Sequence, residues 1–245
     1  MKCDIKHDDF VYCVGGISMF GSNKLFRMSL NESDLKWKEM ASMKYKRGGF
    51  GSAVFNDTMI VCGGYDGKKP LSSTEVYDFT HNKWNQIFSL KQKRSSTQAV
   101  ISGGCLYAMG GYDGTNRLSS VERLDGLNQT WKFVSSMQTP RSLFAAVSCD
   151  DIIYAIGGWK NENKTMKSVE KYDCAADKWS YVSDMNIERY GHSACVMRGR
   201  IYVVGGQNSK YKVVKEIECY DPSTDTWEIA ATIDDELLIH ASFVL

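Results

Sequence analysis

Paired carboxylates recur along this chain at a spacing of three residues: Glu75 and Asp78, Glu122 and Asp125, Glu170 and Asp173, Glu218 and Asp221. Two carboxyl groups at short range are the working parts of acid–base hydrolysis, one protonating the leaving group while the other stays ionised. A hydrolase needs one such pair, and here the pair is written four times in the same register, which assigns it to the scaffold. Glycine pairs at 15–16, 63–64, 110–111, 157–158 and 205–206 could cradle a phosphate. A phosphate loop needs a helix N-terminus behind its glycines, whereas each pair here leads through a loop into a strand. Close approach of two backbones explains the glycines better. Of the four histidines, His7, His81, His192 and His240, two occupy matched strand positions, and the eight cysteines contain no Cys-x-x-Cys pair. The sequence therefore predicts no metal site and no cofactor. Arg47, Arg94, Arg141 and Arg189 each follow a tryptophan at one fixed interval. That regularity favours a structural role, with the guanidinium fork holding loop carbonyls between repeats.

The elements that carry these residues form a repeat. An apolar strand running into a glycine pair occurs at 10–16, 59–64, 106–111, 152–158 and 200–206. The first glycines stand at positions 15, 63, 110, 157 and 205, an interval that varies by no more than a single position. Trp37, Trp84, Trp131, Trp179 and Trp227 keep step, and each of the first four stands at the same distance ahead of the next glycine pair. A fixed period of this size marks a repeat architecture. Within the fourth repeat the segments 143–149, 152–156, 168–173 and 178–182 are rich in Val, Ile and Tyr and are separated by Gly, Asp, Asn and Ser. They read as four antiparallel strands, and no segment sustains a helical period.

Four antiparallel strands in about 47 residues make the blade of a β-propeller. The glycine pair, the phased Trp, and the Tyr-Asp of 77–78, 172–173 and 220–221 together resemble the Kelch repeat, over nearly the whole chain. Gly-Gly-Tyr-Asp-Gly at 63–67 and 110–114 is similar to the propellers of the BTB-BACK-Kelch (Kelch-like) adaptor family. The expected fold is an all-β Kelch-type propeller, residues 1–245 forming one domain of five four-stranded blades with an overhang at 1–7. His240 stands as far past Trp227 as His192 stands past Trp179, so residues 238–245 match the first strand of a repeat. That match predicts that the C-terminal strand closes the first blade, pairing with residues 10–14 and leaving no free sheet edge.

The resemblance implies a non-enzymatic protein-interaction module, in its parent protein the substrate-recognition domain of a cullin ubiquitin-ligase adaptor. The ligase would be reached only through a BTB region that these residues do not include. Some Kelch proteins bind actin, and some are enzymes, so a cytoskeletal module is the alternative and an enzyme the remoter one. The net charge of +1 exerts no pull toward nucleic acid or membrane, and no apolar run approaches a membrane span. The polar N-terminus and scattered cysteines predict a reducing, cytoplasmic setting.

Strand alternation places the second-to-third and fourth-to-first connections of every blade on one face. These connections are longer and more varied than the tight turns opposite, as befits a binding face on a rigid scaffold. Their second-to-third loops hold Lys68, Lys69, Arg117, Lys160, Lys164, Lys210 and Lys212 against Asp66, Asp113 and Glu162. Aromatic side chains punctuate the same loops. The predicted partner-binding residues are Tyr65, Tyr112, Arg117, Trp159 and Tyr211, with Ser95, Ser142 and Tyr190 at the channel mouth. The last three match positions that Kelch-like adaptors use for contact. A basic, aromatic rim suits a protein or peptide partner of acidic character.

Overall fold

A computed structural model describes residues 4–7, 9–15, 21–31, 35–55, 57–126, 130–160 and 164–233. The first sheet contains β1 (Asp4–His7), β2 (Phe10–Val14), β3 (Leu25–Ser29) and β4 (Lys38–Glu39). The second contains β5 (Gly51–Phe55), β6 (Thr58–Cys62), β7 (Thr74–Asp78) and β8 (Lys83–Ile87). The third is β9 (Gln98–Ser102), β10 (Cys105–Met109), β11 (Val121–Leu124) and β12 (Lys132–Val134). The fourth is β13 (Ala145–Cys149), β14 (Ile152–Ile156), β17 (Val169–Asp173) and β18 (Lys178–Val182). A separate hairpin, β15 (Trp159–Lys160) and β16 (Lys164–Thr165), rises from its middle connection. The fifth is β19 (Ser193–Met197), β20 (Arg200–Val204), β21 (Glu216–Asp221) and β22 (Thr226–Thr232). All neighbouring strands are antiparallel, and β1, β5, β9, β13 and β19 contact one another in that order. The first strand of each sheet thus lines a common axis, and the fold is a five-bladed all-β propeller.

Alternation along the second strand of each blade builds the core. In β6, Met59 and Val61 pack toward the first blade while Ile60 and Cys62 pack toward the third. The same division in β10 and β14 fills the next two seams, so apolar clusters occupy the seams between blades one and two, two and three, three and four, and four and five. The tryptophans of the second to fifth repeats reach back across a seam. The indole N–H groups of Trp84, Trp131, Trp179 and Trp227 donate to the carbonyls of Ala41, Phe88, Ser135 and Ser183 at 2.8–3.1 Å. Trp37 makes no such bond among the described residues and is 48% exposed.

The first blade departs from expectation. Both edges of β2 are taken, by β3 on one side and by β1 on the other in the register Asp4↔Cys13 to His7↔Phe10. Residues 4–7 are therefore a strand and not an overhang, and the place assigned to the C-terminal strand is filled from the N-terminal end. The physical reason is proximity: a tight hairpin closes at far smaller entropic cost than pairing the two ends of the whole chain. Residues 238–245 lie outside the described residues.

The repeated arginines and glutamates form one device. Arg47 donates to the carbonyls of Gly63 and Ser73 at 2.6 and 3.1 Å and to Glu75 at 2.6 Å. Arg94–Glu122, Arg141–Glu170 and Arg189–Glu218 repeat it at 2.9, 3.1 and 2.7 Å, with all eight side chains buried. These acceptors belong to the arginine's own blade, a correction to the expectation of bonds between repeats. The link to the preceding blade runs through the glutamate. Glu75 accepts the backbone N–H of Lys44 and of Tyr45, and Glu170 those of Gln138 and Thr139, in the connections that enter each blade. The partnering aspartates do separate work: Asp78, Asp173 and Asp221 accept backbone N–H groups in the tight turns that follow. Both kinds of carboxylate thus make contacts that hold the scaffold.

Candidate functional site

The residue after each buried arginine exchanges two backbone hydrogen bonds with the residue after a glycine pair. The bridges are Gly48–Tyr65, Ser95–Tyr112, Ser142–Trp159 and Tyr190–Gln207, at 2.8–3.0 Å. They join the entering connection of each blade to its middle loop, so both connections share one face. The glycines permit this closeness. A Cβ on Gly110, whose φ is +58°, would lie 2.7 Å from the Arg141 carbonyl oxygen of the next blade. The N–H of its neighbour Gly111 donates to that same oxygen at 2.6 Å.

The middle loops of three blades share a local solution. Asp66 accepts the N–H of Lys68 and Lys69, Asp113 those of Thr115 and Asn116, and Asn208 those of Lys210 and Lys212. A short polar side chain capping its own loop in this way is an Asx turn. Partial burial pushes the Asp66 and Asp113 carboxyls up, but the amide donors outweigh it and hold both below the ordinary carboxylate value. In the fourth blade the equivalent residue is Lys160, and the β15–β16 hairpin replaces the turn.

Side chains then define the surface. Tyr65 and Tyr112 are 39% and 38% exposed, and Tyr211 is 70% exposed in a loop where its own φ is +58°. Arg117 donates from Nε to Ser142 Oγ at 3.0 Å, and its guanidinium lies over the Trp159 ring, 5.5 Å from the centroid. Burial lowers the Arg117 pKa, while Tyr112 nearby opposes that effect. Trp159 also packs on Tyr190 with ring centroids 4.3 Å apart, and its indole N–H donates to Thr165 Oγ1 at 3.2 Å. Tyr190 gives its hydroxyl proton to Gln207 Oε1 at 2.6 Å.

Arg117, Ser142, Trp159 and Tyr190 are thus brought into one contiguous group, and Ser95 meets Tyr112 directly. The two serines and Tyr190, expected at the channel mouth, are buried beneath the exposed aromatics. They set the positions of Tyr112, Arg117 and Trp159 more than they present themselves. Gln207, which anchors Tyr190, was not anticipated. Its signal was its place in the register, one residue past the fifth glycine pair, where the second, third and fourth blades carry an aromatic.

His192 is a core residue whose Nε2 lies 3.1 Å from the Ile156 carbonyl. His81 pairs with Asp78 on the surface at 2.7 Å. The seven cysteines among the described residues are free thiols. Among the described residues no helix is long and apolar enough to cross a membrane.

Comparison with known proteins agrees with this architecture. Residues 46–89 match the Kelch motif. Two curated zebrafish (Danio rerio) relatives, Kelch-like protein 41a and Kelch-like protein 41b, are each 39% identical over 80 residues. That stretch is 32% of this chain and 13% of each relative, so the chain matches only a small part of their length. The solved structure of YjhT superimposes with a TM-score of 0.86 at 13% identity, covering 98% of this chain and 86% of that one, a likeness of fold. The Attractin/LZTR1 β-propeller family matches residues 68–245, all but the first blade and part of the second. By its repeats, its blades and that match, the chain belongs to the Attractin/LZTR1 β-propellers, a Kelch-type family.

Proposed function

We propose that this propeller is a recognition module that binds a segment of another protein on its loop-bearing face. In its parent protein, on this reading, it selects cytoplasmic substrates for a cullin ubiquitin ligase that a BTB region engages. One observation carries the proposal: Tyr65, Tyr112 and Trp159 stand in register on successive blades, with Arg117 fixed between Ser142 and the Trp159 ring. Aromatic side chains bury large area at low entropic cost, and a guanidinium that is already oriented can grip a carboxylate bidentately. The lysines of the same loops favour an acidic partner and steer it. The Kelch-like relatives support a protein-interaction module.

The test is capture of partners on the immobilised chain, followed by affinity measurement on variants. Arg117→Ala weakens binding by roughly 1–3 kcal/mol if the guanidinium meets a buried carboxylate. Lys178→Ala, exposed at the start of β18 beside the tight turn of the opposite face, leaves affinity unchanged. Asp151 on that face is unsuitable as a control because it accepts the Gly103 N–H across a seam at 2.9 Å. Equal losses from Arg117→Ala and Lys178→Ala would place the partner elsewhere.

A further inference from the structure

The β15–β16 hairpin has two sides with different chemistry. Register pairs Trp159 with Thr165 and Lys160 with Lys164. Trp159 turns toward Tyr190 and Arg117 at the channel mouth, so the two lysines project from the other face of the ribbon. There they line a groove of about 600 Å³ on blade four, between the connections that enter and leave that blade. Lys167, from the same connection, lines it as well.

Two like charges directly opposite each other on paired strands destabilise the pair, since their Cβ atoms are about 4.5–5.5 Å apart. The middle loops of blades two, three and five avoid such an arrangement by placing Asp66, Asp113 or Asn208 where the fourth blade has Lys160. The acids of the groove are already engaged. Glu188 accepts the N–H of Ser209 at 3.3 Å and the Ser209 hydroxyl, and Asp184 lies 3.9 Å from Lys167 Nζ. Lys160 and Lys164 make no ion pair among the described residues. Thr139 and Tyr181 share one hydrogen bond of 2.6 Å in the groove wall, which leaves one of their two hydroxyl protons to donate outward.

We infer that this groove is a phosphate-recognition subsite, built to take a phosphorylated serine or threonine of the protein segment bound on the same face. The proposal rests on the loop-face reading and adds a second anchor to it. The chemistry favours phosphate over carboxylate on two counts. A phosphoserine carries about −1.5 to −2 charges at neutral pH, which matches two ammonium groups. Its three acceptor oxygens also suit tetrahedral, freely rotating lysine donors and a hydroxyl, whereas a planar carboxylate is better matched by arginine.

The experiment titrates the full chain with three probes, N-acetyl-phosphoserine methylamide, its unphosphorylated counterpart and N-acetyl-glutamate methylamide, followed by amide chemical shifts. The phosphoserine probe is expected to shift Thr165, Met166 and Asn186 and to bind at least fivefold more tightly than the glutamate probe. The serine probe is expected to shift nothing. Lys160→Gln/Lys164→Gln should weaken phosphoserine binding at least tenfold with a melting temperature no lower than that of the parent chain, and Arg117→Ala should leave it within twofold. Equal binding of phosphoserine and glutamate, shifts confined to other residues, or an unaffected double variant would each overturn the subsite. Failure of the loop-face reading is a separate result. It appears as intact partner binding in Arg117→Ala, whatever the phosphoserine probe does.

Discussion

Replacing Glu170 by Ala removes the charge that Arg141 was buried to meet. Arg141 is fully buried, and burial lowers its pKa against the counteracting charge of Glu170. Breaking a buried ion pair from one side costs about 3–5 kcal/mol. Two backbone N–H groups, of Gln138 and Thr139, also lose their acceptor. Water reaches these part-buried groups, so they add about 1 kcal/mol together. The expected loss is about 4–6 kcal/mol, comparable to the whole stability of a marginal domain. The double variant Arg141→Met/Glu170→Leu removes the orphaned charge but strands the Gly157 and Ser168 carbonyls, which Arg141 holds at 2.9 and 2.8 Å. It should recover about 1–3 kcal/mol of the loss and no more, because those carbonyls and the two N–H groups still need partners. Urea unfolding followed by tryptophan fluorescence measures both, with constant m-values as the check that the unfolded state is unchanged. A loss under about 1 kcal/mol for Glu170→Ala would refute the reasoning. So would a double variant less stable than the single one.

The remaining expectations concern the seams between blades. Asp177 accepts the Tyr172 hydroxyl and, across one seam, the Ser135 N–H, and Asp225 accepts the Ser183 N–H and the Tyr220 hydroxyl, at 2.7–2.9 Å. These bonds hold both carboxyls below the ordinary 3.8, so the folded chain binds fewer protons than the unfolded one. Their stabilisation is complete above the unfolded value and is lost as pH falls through the folded values. The protection factors of the Ser135 and Ser183 amides, taken against their intrinsic exchange rates, should therefore fall on acidification. The Ala41 amide, bonded to the uncharged Asn82, should keep its protection until the fold itself fails. Protection that falls equally at all three sites would contradict the assignment. Gly110→Ala should cost well over about 1 kcal/mol in thermal unfolding, because its Cβ would meet both the Arg141 carbonyl and the Phe144 ring at 2.7 Å. Gly103→Ala, at a φ of +52° with open space around it, should cost only about 1 kcal/mol of backbone strain. Similar losses at the two sites would mean that conformation alone, and not interblade packing, fixes the glycine pairs.

Everything that repeats was legible in the linear chain. The regular period, the alternating apolar strands and the phased Trp fix four strands per blade and five blades, because burial on both faces of a sheet leaves a local pattern that needs no partner to be read. The structural role of the fourfold carboxylates followed from their number alone. What repetition could not show is which repeated residues meet. Arg94 and Glu122 are distant along the chain, and only the return of β11 beside β10 brings them to 2.9 Å. The same limit explains the first blade. Residues 4–7 carry no glycine pair or Trp, so nothing local marked them as a strand, and pairing is a property of two segments together. At the functional face the residue types and the shared side could be read directly. Burial could not: folding makes Ser142 and Tyr190 buried supports while Tyr112 and Tyr211 stay exposed. Folding also turned Lys160 and Lys164 away from Trp159, because the side of a ribbon that a residue occupies follows from register across the hairpin, which a linear sequence does not contain.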